Sequence, residues 1–309
     1  MKRIFIFSLL LLTIISLKAQ QNAMYTHYSF NTLAINPAYA GSRDALTITG
    51  LHRSMWVGFP GAPVTQTLTA HAPVFNEKVG LGLSVVSDRI GPTKQTHFSV
   101  DYAYKIHFDK GRILSFGLKG GLGFLTNELS GLNPDDANDP TYQKDYKSEL
   151  LPIFGFGLYY STPKYYLGFS IPTLITNDFL ANTTEGGVEG IERHYYFIAG
   201  AIFDLNHSKT IKLKPTTFIK VAEGAPIELD LTALFYFNDL FWVGPMFRTG
   251  DALGALAGIN ITPQLAVGYS FDWSYANTTS KYNSGSHEIM LRYDFIFNKG
   301  KKQRSPRYF

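Results

Sequence analysis

The chain repeats one pattern from about residue 43 to residue 297: apolar residues occupy every second position of a run, and a turn follows. In residues 265–275, for example, Leu, Val, Tyr, Phe, Trp and Tyr alternate with Ala, Gly, Ser, Asp and Ser. Because successive side chains of a β-strand face opposite sides, each run has one apolar and one polar face. Fourteen strands are predicted, at 43–53, 62–73, 78–88, 93–107, 111–126, 149–160, 163–171, 191–205, 210–221, 226–237, 239–249, 251–261, 263–275 and 286–297.

The connections between these runs alternate in length. Those after the second, fourth, sixth, eighth, tenth and twelfth strands are tight, whereas several at the odd places are long, at 54–61, 127–149, 172–190 and 276–285. Bacterial outer-membrane barrels have an even number of strands, short periplasmic turns and longer outer loops. The sequence therefore predicts an all-β fold, a transmembrane antiparallel β-barrel of about 14 strands that covers residues 43–298.

A soluble sandwich or propeller is the competing fold. Strands in soluble sheets average roughly five or six residues, whereas runs of about eleven residues suit a tilted strand that crosses a bilayer. Pro215 and Pro245 lie inside predicted strands, although a closed barrel has no free edge for a proline. They indicate either β-bulges or strand boundaries that differ from the predicted ones.

Residues 1–19 have the layout of a secretory signal peptide. Lys2 and Arg3 precede an apolar run at 4–17, and Ala19 follows Lys18 at the end of the leader. An uncleaved anchor is the alternative, but this apolar run is short for a helix that spans a membrane. We therefore expect cleavage after Ala19. The sequence has no cysteine, which excludes a lipid-modified cysteine, disulfides and thiolate chemistry.

Positive charge is concentrated at the two ends of the chain. The formal net charge is +4, but three cations belong to the leader and five to the tail, so residues 21–298 carry a net charge of −4. Because the excess of basic residues is confined to the two ends, it gives no indication of nucleic-acid binding. We interpret residues 299–309 as a basic periplasmic tail, whose cations are Lys299, Lys301, Lys302, Arg304 and Arg307.

Residue types that carry catalysis or bind metals form no clear constellation. The eight histidines are scattered, and none has metal-ligand spacing with a carboxylate. His97, Ser99 and Asp101 share one strand face and are the candidate for a hydrolytic triad, but a polar lumen produces the same grouping. We expect no enzymatic activity, no cofactor and no metal.

Residues 20–42 differ from the rest of the chain. They are rich in aromatic residues and Asn, show no sustained alternation and end with Asn36-Pro37-Ala38-Tyr39-Ala40-Gly41, where Pro and Gly favour a turn. An irregular segment of this length is expected to be functional or disordered, and its aromatic content argues against disorder. A barrel of about 14 strands is wide enough to hold an inserted segment. The two interpretations are a lumen plug and a periplasmic docking arm.

Specific residues of this segment resemble the opening signature of the PorP/SprF family, outer-membrane proteins of the type IX secretion system of Bacteroidota. The signature residues are Tyr28, Phe30, Asn31, Asn36, Pro37, Tyr39 and Gly41. The chain is also similar to this family at Arg53-x2-Trp56-Val57-Gly58-Phe59 and at Ser286-His287-Glu288-Ile289. Thr32 departs from the family pattern, in which we expect proline.

The resemblance implies a non-enzymatic outer-membrane barrel of the type IX secretion system. Such a barrel assists the export or surface attachment of cargo proteins, including gliding adhesins, through their C-terminal domains and together with periplasmic components of the machine. The even strand count predicts that both termini are periplasmic. The alternative function is a diffusion channel or small-molecule transporter, which requires an open lumen.

Two elements are candidate partner-binding sites. Trp56, Val57 and Phe59 place three large apolar residues in one connection, and exposed clusters of this kind usually mark contact surfaces. Alternatively, these three residues belong to the belt of aromatic and apolar side chains at the outer membrane–water interface. The cations of the 299–309 tail suit an acidic periplasmic partner, with a solvated, unstructured tail as the alternative.

Overall fold

The computed structural model describes residues 23–131, 145–175, 193–223, 225–276 and 281–296. Its strands form one antiparallel sheet. Within these ranges the helical elements are three single-turn 3₁₀ helices, η1 Thr32–Ala34, η2 Pro37–Tyr39 and η3 Asp109–Gly111. The strands are β1 Leu46–Ser54, β2 Val64–Val74, β3 Val79–Ile90, β4 Thr93–Phe108, β5 Arg112–Asn127, β6 Tyr146–Ser161, β7 Tyr165–Ile171, β8 His194–Ala201, β9 Phe203–Asp204, β10 Ile211–Ala222, β11 Glu228–Phe237, β12 Phe241–Arg248, β13 Ala252–Asn260, β14 Leu265–Ser274 and β15 Ser286–Phe295.

The sheet closes on itself into a barrel. Successive strands pair along the chain, and β1 also pairs with β15, from Leu46 opposite Phe295 to Ser54 opposite His287. Both β8 and β9 pair with β10, and they continue one another as a single crossing, so the barrel has 14 strands. The predicted fold class and strand number are confirmed.

The outward faces of the strands are apolar, and the faces that point into the lumen carry most of the polar and charged side chains. In β14, Tyr269, Phe271 and Trp273 are between 37% and 50% exposed, whereas Ser270 and Asp272 are at most 2% exposed. The outward faces together form an apolar belt, which is the surface that a barrel presents to lipid. No helix of the described part of the chain is long and apolar enough to cross a membrane.

Pro215 and Pro245 lie inside β10 and β12, and neither marks a bulge or a strand end. Pairing of β10 with β8 stops at Thr216 and resumes with β9 at Leu213 in unchanged register. The pairing between β11 and β12 is likewise interrupted at Pro245 and continues on both sides of it in the same register. Because proline has no N–H to donate, each residue leaves a gap in one ladder. Both interpretations made from the sequence were therefore wrong.

The two rims of the barrel differ. The rim that we call the tight-turn rim carries the turns at 75–78, 109–111, 162–164, 205–210, 238–240 and 261–264. The opposite rim, the long-loop rim, carries the connections at 55–63, 91–92, 128–145, 172–193, 223–227, 249–251 and 275–285. The first and last strands begin and end at the tight-turn rim, where Leu46 lies opposite Phe295.

The described N-terminal residues lie away from that rim. Ala23 and Met24 lie beside Trp56, Gly250 and Asp251, all of which belong to the long-loop rim. The described chain therefore starts at one rim and ends at the other, because residues 23–42 run through the lumen before β1 begins. The expectation that both termini are periplasmic concerns residues 1–22 and 297–309, which lie outside the described residues.

Leu118 tests the assigned position of β5 in the bilayer, since it faces outward, 59% exposed, far from both strand ends. We predict that Leu118→Arg lowers the free energy of unfolding by about 2–4 kcal/mol, because a cation near the bilayer midplane is costly. Phe108→Arg, at the end of β4, is the control and should cost about 0–1 kcal/mol. Urea titration of protein refolded in lipid vesicles measures both, and equal costs would contradict the assignment.

Candidate functional site

Residues 23–42, here called the luminal segment, lie inside the barrel. Tyr28, Leu33 and Tyr39 are at most 2% exposed. They belong to one hydrophobic cluster with inward-facing barrel residues, among them Tyr159, Tyr166, Phe218, Trp242 and Met290. The signature residues are all buried there: Tyr28, Phe30, Asn31, Asn36, Pro37, Tyr39 and Gly41.

Aromatic contacts hold the segment against the barrel wall. Phe30 stacks on Trp242 with ring centroids 5.0 Å apart, and the Lys214 Nζ lies 5.2 Å from the centroid of the Phe30 ring. Tyr39 meets Tyr159 edge to face at 5.3 Å. Each such aromatic pair contributes about 0.5–1.5 kcal/mol beyond the area it buries.

Asn36 fixes the turn in the middle of the segment. Its Oδ1 accepts a hydrogen bond from the Ala38 amide (2.9 Å), which caps η2, and Pro37 occupies the first position of that helix. Its Nδ2 donates to the carbonyl oxygens of Leu158 in β6 (3.0 Å) and Phe169 in β7 (3.3 Å). One side chain therefore shapes the turn and ties it to two strands.

Glycines on the lumen face of three strands make room for this turn. A Cβ added to Gly117 of β5 would overlap the backbone at Ala38, and one on Gly80 of β3 would overlap the Ala40 carbonyl. A Cβ on Gly157 of β6 would collide with the Asn36 side chain. This role of the glycines was not predicted from the sequence.

Buried charges bind the segment near the long-loop rim. Glu288 accepts hydrogen bonds from the amides of Thr26 (2.9 Å) and His27 (2.7 Å), and its Oε1 lies 2.7 Å from the His27 Nδ1. Arg53 contacts Asp272 at 2.6 Å and donates to the Thr26 hydroxyl at 2.7 Å. We call these five residues the long-loop anchor. Buried charges are tolerated best when they are paired with an opposite charge and make additional hydrogen bonds.

A second group binds the other end of the segment. The Gly41 amide donates to the His71 Nδ1 at 3.1 Å, and the Lys105 Nζ donates to the Gly41 carbonyl at 2.5 Å. Arg43, just beyond the segment, contacts Asp294 at 2.7 Å, one residue before β15 ends. These five residues form the tight-turn anchor.

A cavity of about 690 Å³, here called the vestibule, lies between the luminal segment and the long-loop rim. Met24, Tyr25 and Ile35 line it from the segment, and its walls include Trp56, Gln95, Lys119 and Asp251. Its volume and its largely apolar lining, with a few polar side chains, are typical of a binding cavity.

One of the predicted partner residues of the 55–63 loop contributes to this vestibule. Trp56 lines it, while Val57 and Phe59 are 38% and 39% exposed. The Val57 amide donates to the Gly285 carbonyl at 2.9 Å, which joins this loop to the segment before β15. The other predicted partner residues, Lys299, Lys301, Lys302, Arg304 and Arg307, lie outside the described residues.

The residues considered for catalysis do not form a triad. Asp101 contacts the Lys119 ammonium at 2.7 Å and accepts from Ser84 at 3.2 Å. The Ser99 hydroxyl accepts from the same lysine at 3.2 Å. Among the described residues, no group of three or more His, Cys, Asp or Glu side chains is placed to hold a metal ion.

The comparisons with known proteins agree with this architecture. The model of a family described as "Type IX secretion system membrane protein PorP/SprF" matches residues 17–293. The chain is similar to the solved outer membrane protein Omp33 of Acinetobacter baumannii (10% identity, 82% of this chain and 99% of that one, TM-score 0.49). It is also similar to the CymD monoaromatic hydrocarbon channel (8% identity, 86% and 92%, TM-score 0.50), a likeness of fold alone. No protein of curated function matches the sequence.

Gly117 provides a test of how closely the luminal segment is seated. We predict that Gly117→Ala lowers the free energy of unfolding by about 1–3 kcal/mol, because the added methyl group forces the segment away from β5. Gly120→Ala in the same strand is the matched control, since nothing lies within 4 Å of the added Cβ, and should change stability by less than about 0.5 kcal/mol. Denaturant titration in vesicles compares them. Equal effects would show that Gly117 does not support the segment.

Proposed function

The chain belongs to the PorP/SprF family of type IX secretion system membrane proteins, and we propose that within this system it works as a partner-binding barrel without enzymatic activity. The observation that carries this proposal is the occupied lumen: residues 23–42 fill it and are bound near both rims. A barrel filled in this way offers its two rims, rather than its interior, for function. Its surroundings are outer-membrane lipid, and nothing in its charge pattern favours nucleic acid.

We propose that the long-loop rim faces the cell exterior and the tight-turn rim the periplasm. Longer outer loops and short periplasmic turns are the rule in bacterial barrels. This orientation puts the vestibule and the 55–63 loop outside the cell. It puts Phe295, and with it the start of the C-terminal tail, on the periplasmic side.

The exterior face is the proposed binding site for the C-terminal domain of an exported cargo protein. Trp56 lines the vestibule, and Val57 and Phe59 of the same loop supply exposed apolar side chains. Aromatic residues next to a concave surface are the usual anchors of protein interfaces. Through this contact the barrel assists export of the cargo or its attachment at the surface.

The periplasmic face is the proposed contact with other components of the secretion machine. Five cations without an acidic residue lie at 299–309, beyond the last strand. Such a tail suits an acidic partner surface through contacts that salt screens over about 8 Å. The cargo and the machine would thus meet opposite rims of one barrel.

A diffusion channel is the competing function, and conductance separates the two. We predict that the intact protein shows no steady conductance in planar bilayers, because the luminal segment blocks the path for ions. A variant lacking residues 23–42 that still inserts should conduct, since a barrel of this strand number is wide enough for water. A water-filled porin in the same bilayers is the positive control. Steady porin-like conductance of the intact chain would favour the channel.

The 55–63 loop is tested by replacing Trp56 and Phe59 together with Ser. We predict that binding of a purified cargo C-terminal domain to the solubilised barrel weakens about 30-fold, as expected for about 2 kcal/mol lost at an interface hot spot. Phe75→Ser is the matched control, because Phe75 is 78% exposed at the opposite rim.

Barrel amount in the membrane is measured alongside cargo display on cells. If the double variant reduces display only in proportion to barrel amount, the two aromatic residues are membrane anchors and the proposed site is wrong.

A further inference from the structure

The luminal segment crosses the barrel in one direction. Thr26 and His27 bind Glu288, which is the third residue of β15 counted from the long-loop rim. Thr26 also binds Arg53, which lies one residue before the end of β1 at the same rim. Gly41, at the other end of the segment, binds Lys105 and His71 toward the tight-turn rim. The order of the contacts fixes the polarity of the chain within the lumen.

Ala23 continues this path to the long-loop rim. It lies, half-buried, in the wall of the vestibule with Met24, near Trp56 and Gly250. A second, smaller cavity that adjoins the vestibule is lined by Ala23 together with Ala222, Ala225 and Pro226, which also belong to the long-loop rim. The linings of both cavities therefore place Ala23 toward that rim.

The two rims are far apart. A strand of ten residues such as β14 spans ~34 Å along its length, and the luminal segment and its aromatic neighbours occupy the lumen between the rims. A residue at the long-loop rim is therefore remote from the tight-turn rim.

We infer that Ala23, the first described residue of the luminal segment, is open to the cell exterior and forms part of the outer interaction surface, together with the vestibule and the Trp56 loop. The inference rests on the orientation proposed above, in which the long-loop rim is external. The two ends of the luminal segment then face opposite compartments, with Ala23 on the outer side and Gly41 on the periplasmic side.

The absence of cysteine from the sequence allows a direct test with single-cysteine variants. A small membrane-impermeant maleimide is added to intact cells that carry Ala23→Cys. Lys281→Cys marks the long-loop rim and His207→Cys the tight-turn rim, since both residues are exposed. Leu33→Cys, buried in the lumen, controls for a loosened barrel.

We expect Ala23→Cys and Lys281→Cys to react on intact cells, and His207→Cys to react only after the outer membrane is permeabilised. If Lys281→Cys reacts on intact cells but Ala23→Cys reacts only after the outer membrane is permeabilised, the inference is wrong and the proposed orientation stands. Labelling of His207→Cys but not Lys281→Cys on intact cells overturns the orientation and the inference together.

A second readout guards against a cysteine that disturbs the vestibule. A short epitope tag inserted after Asn22 should bind antibody on intact cells, whereas the same tag after Phe309 should bind only after permeabilisation. If the tag after Asn22 also requires permeabilisation, Ala23 is not open to the exterior and the inference is wrong.

Discussion

Glu288 lies in the lumen with no solvent exposure, beside Arg53 and Asp272. A carboxylate in such a place is costly unless its oxygens accept strong hydrogen bonds. Here two of those bonds come from main-chain amides of Thr26 and His27, which belong to the luminal segment rather than to the barrel. The polar lumen and the segment therefore stabilise each other: the segment donates hydrogen bonds to Glu288 and accepts one from Arg53, and these bonds fix its position. The position of the vestibule and the closure of the lumen both depend on this pairing.

This mutual dependence separates the protein from a water-filled porin of similar fold. In a porin, solvent satisfies the charges on the lumen wall, and the interior remains a route for solutes. In this chain the inward-facing charged and aromatic side chains of the strands contact the luminal segment instead of water, as Lys214 contacts Phe30. The interior contributes stability and shape, and in the proposed function the recognition surfaces lie at the rims. The fold is thus shared with channels, while the filled lumen agrees with a role in a secretion machine.

The fold was predictable from the sequence because its signal is local. The alternation in 265–275 and the alternating loop lengths follow from neighbouring residues, and both reappear in β14 and in the two rims. The position of the luminal segment was not predictable in the same way. It depends on contacts such as Gly117 with Ala38 and Glu288 with Thr26. The residues of each pair are far apart in the chain, so their contact produces no periodic pattern in the sequence. The one available signal was glycine on the polar face of several strands, where a lumen wall would ordinarily carry side chains. Pro215 and Pro245 were misread because a ladder can lose one hydrogen bond without changing its register.

The bond between Thr26 and Glu288 joins residues 262 positions apart, so the first folded segment of the chain depends on the last strand. During synthesis and insertion, the partner of the N-terminal segment does not exist until β15 has been made. That same strand closes the barrel by pairing with β1. Closing the wall and filling the interior are consequently coupled steps of assembly, completed by one strand. A chain that stops before β15 loses its closed wall and its inner support together, which makes an incomplete copy easy for quality-control proteases to recognise.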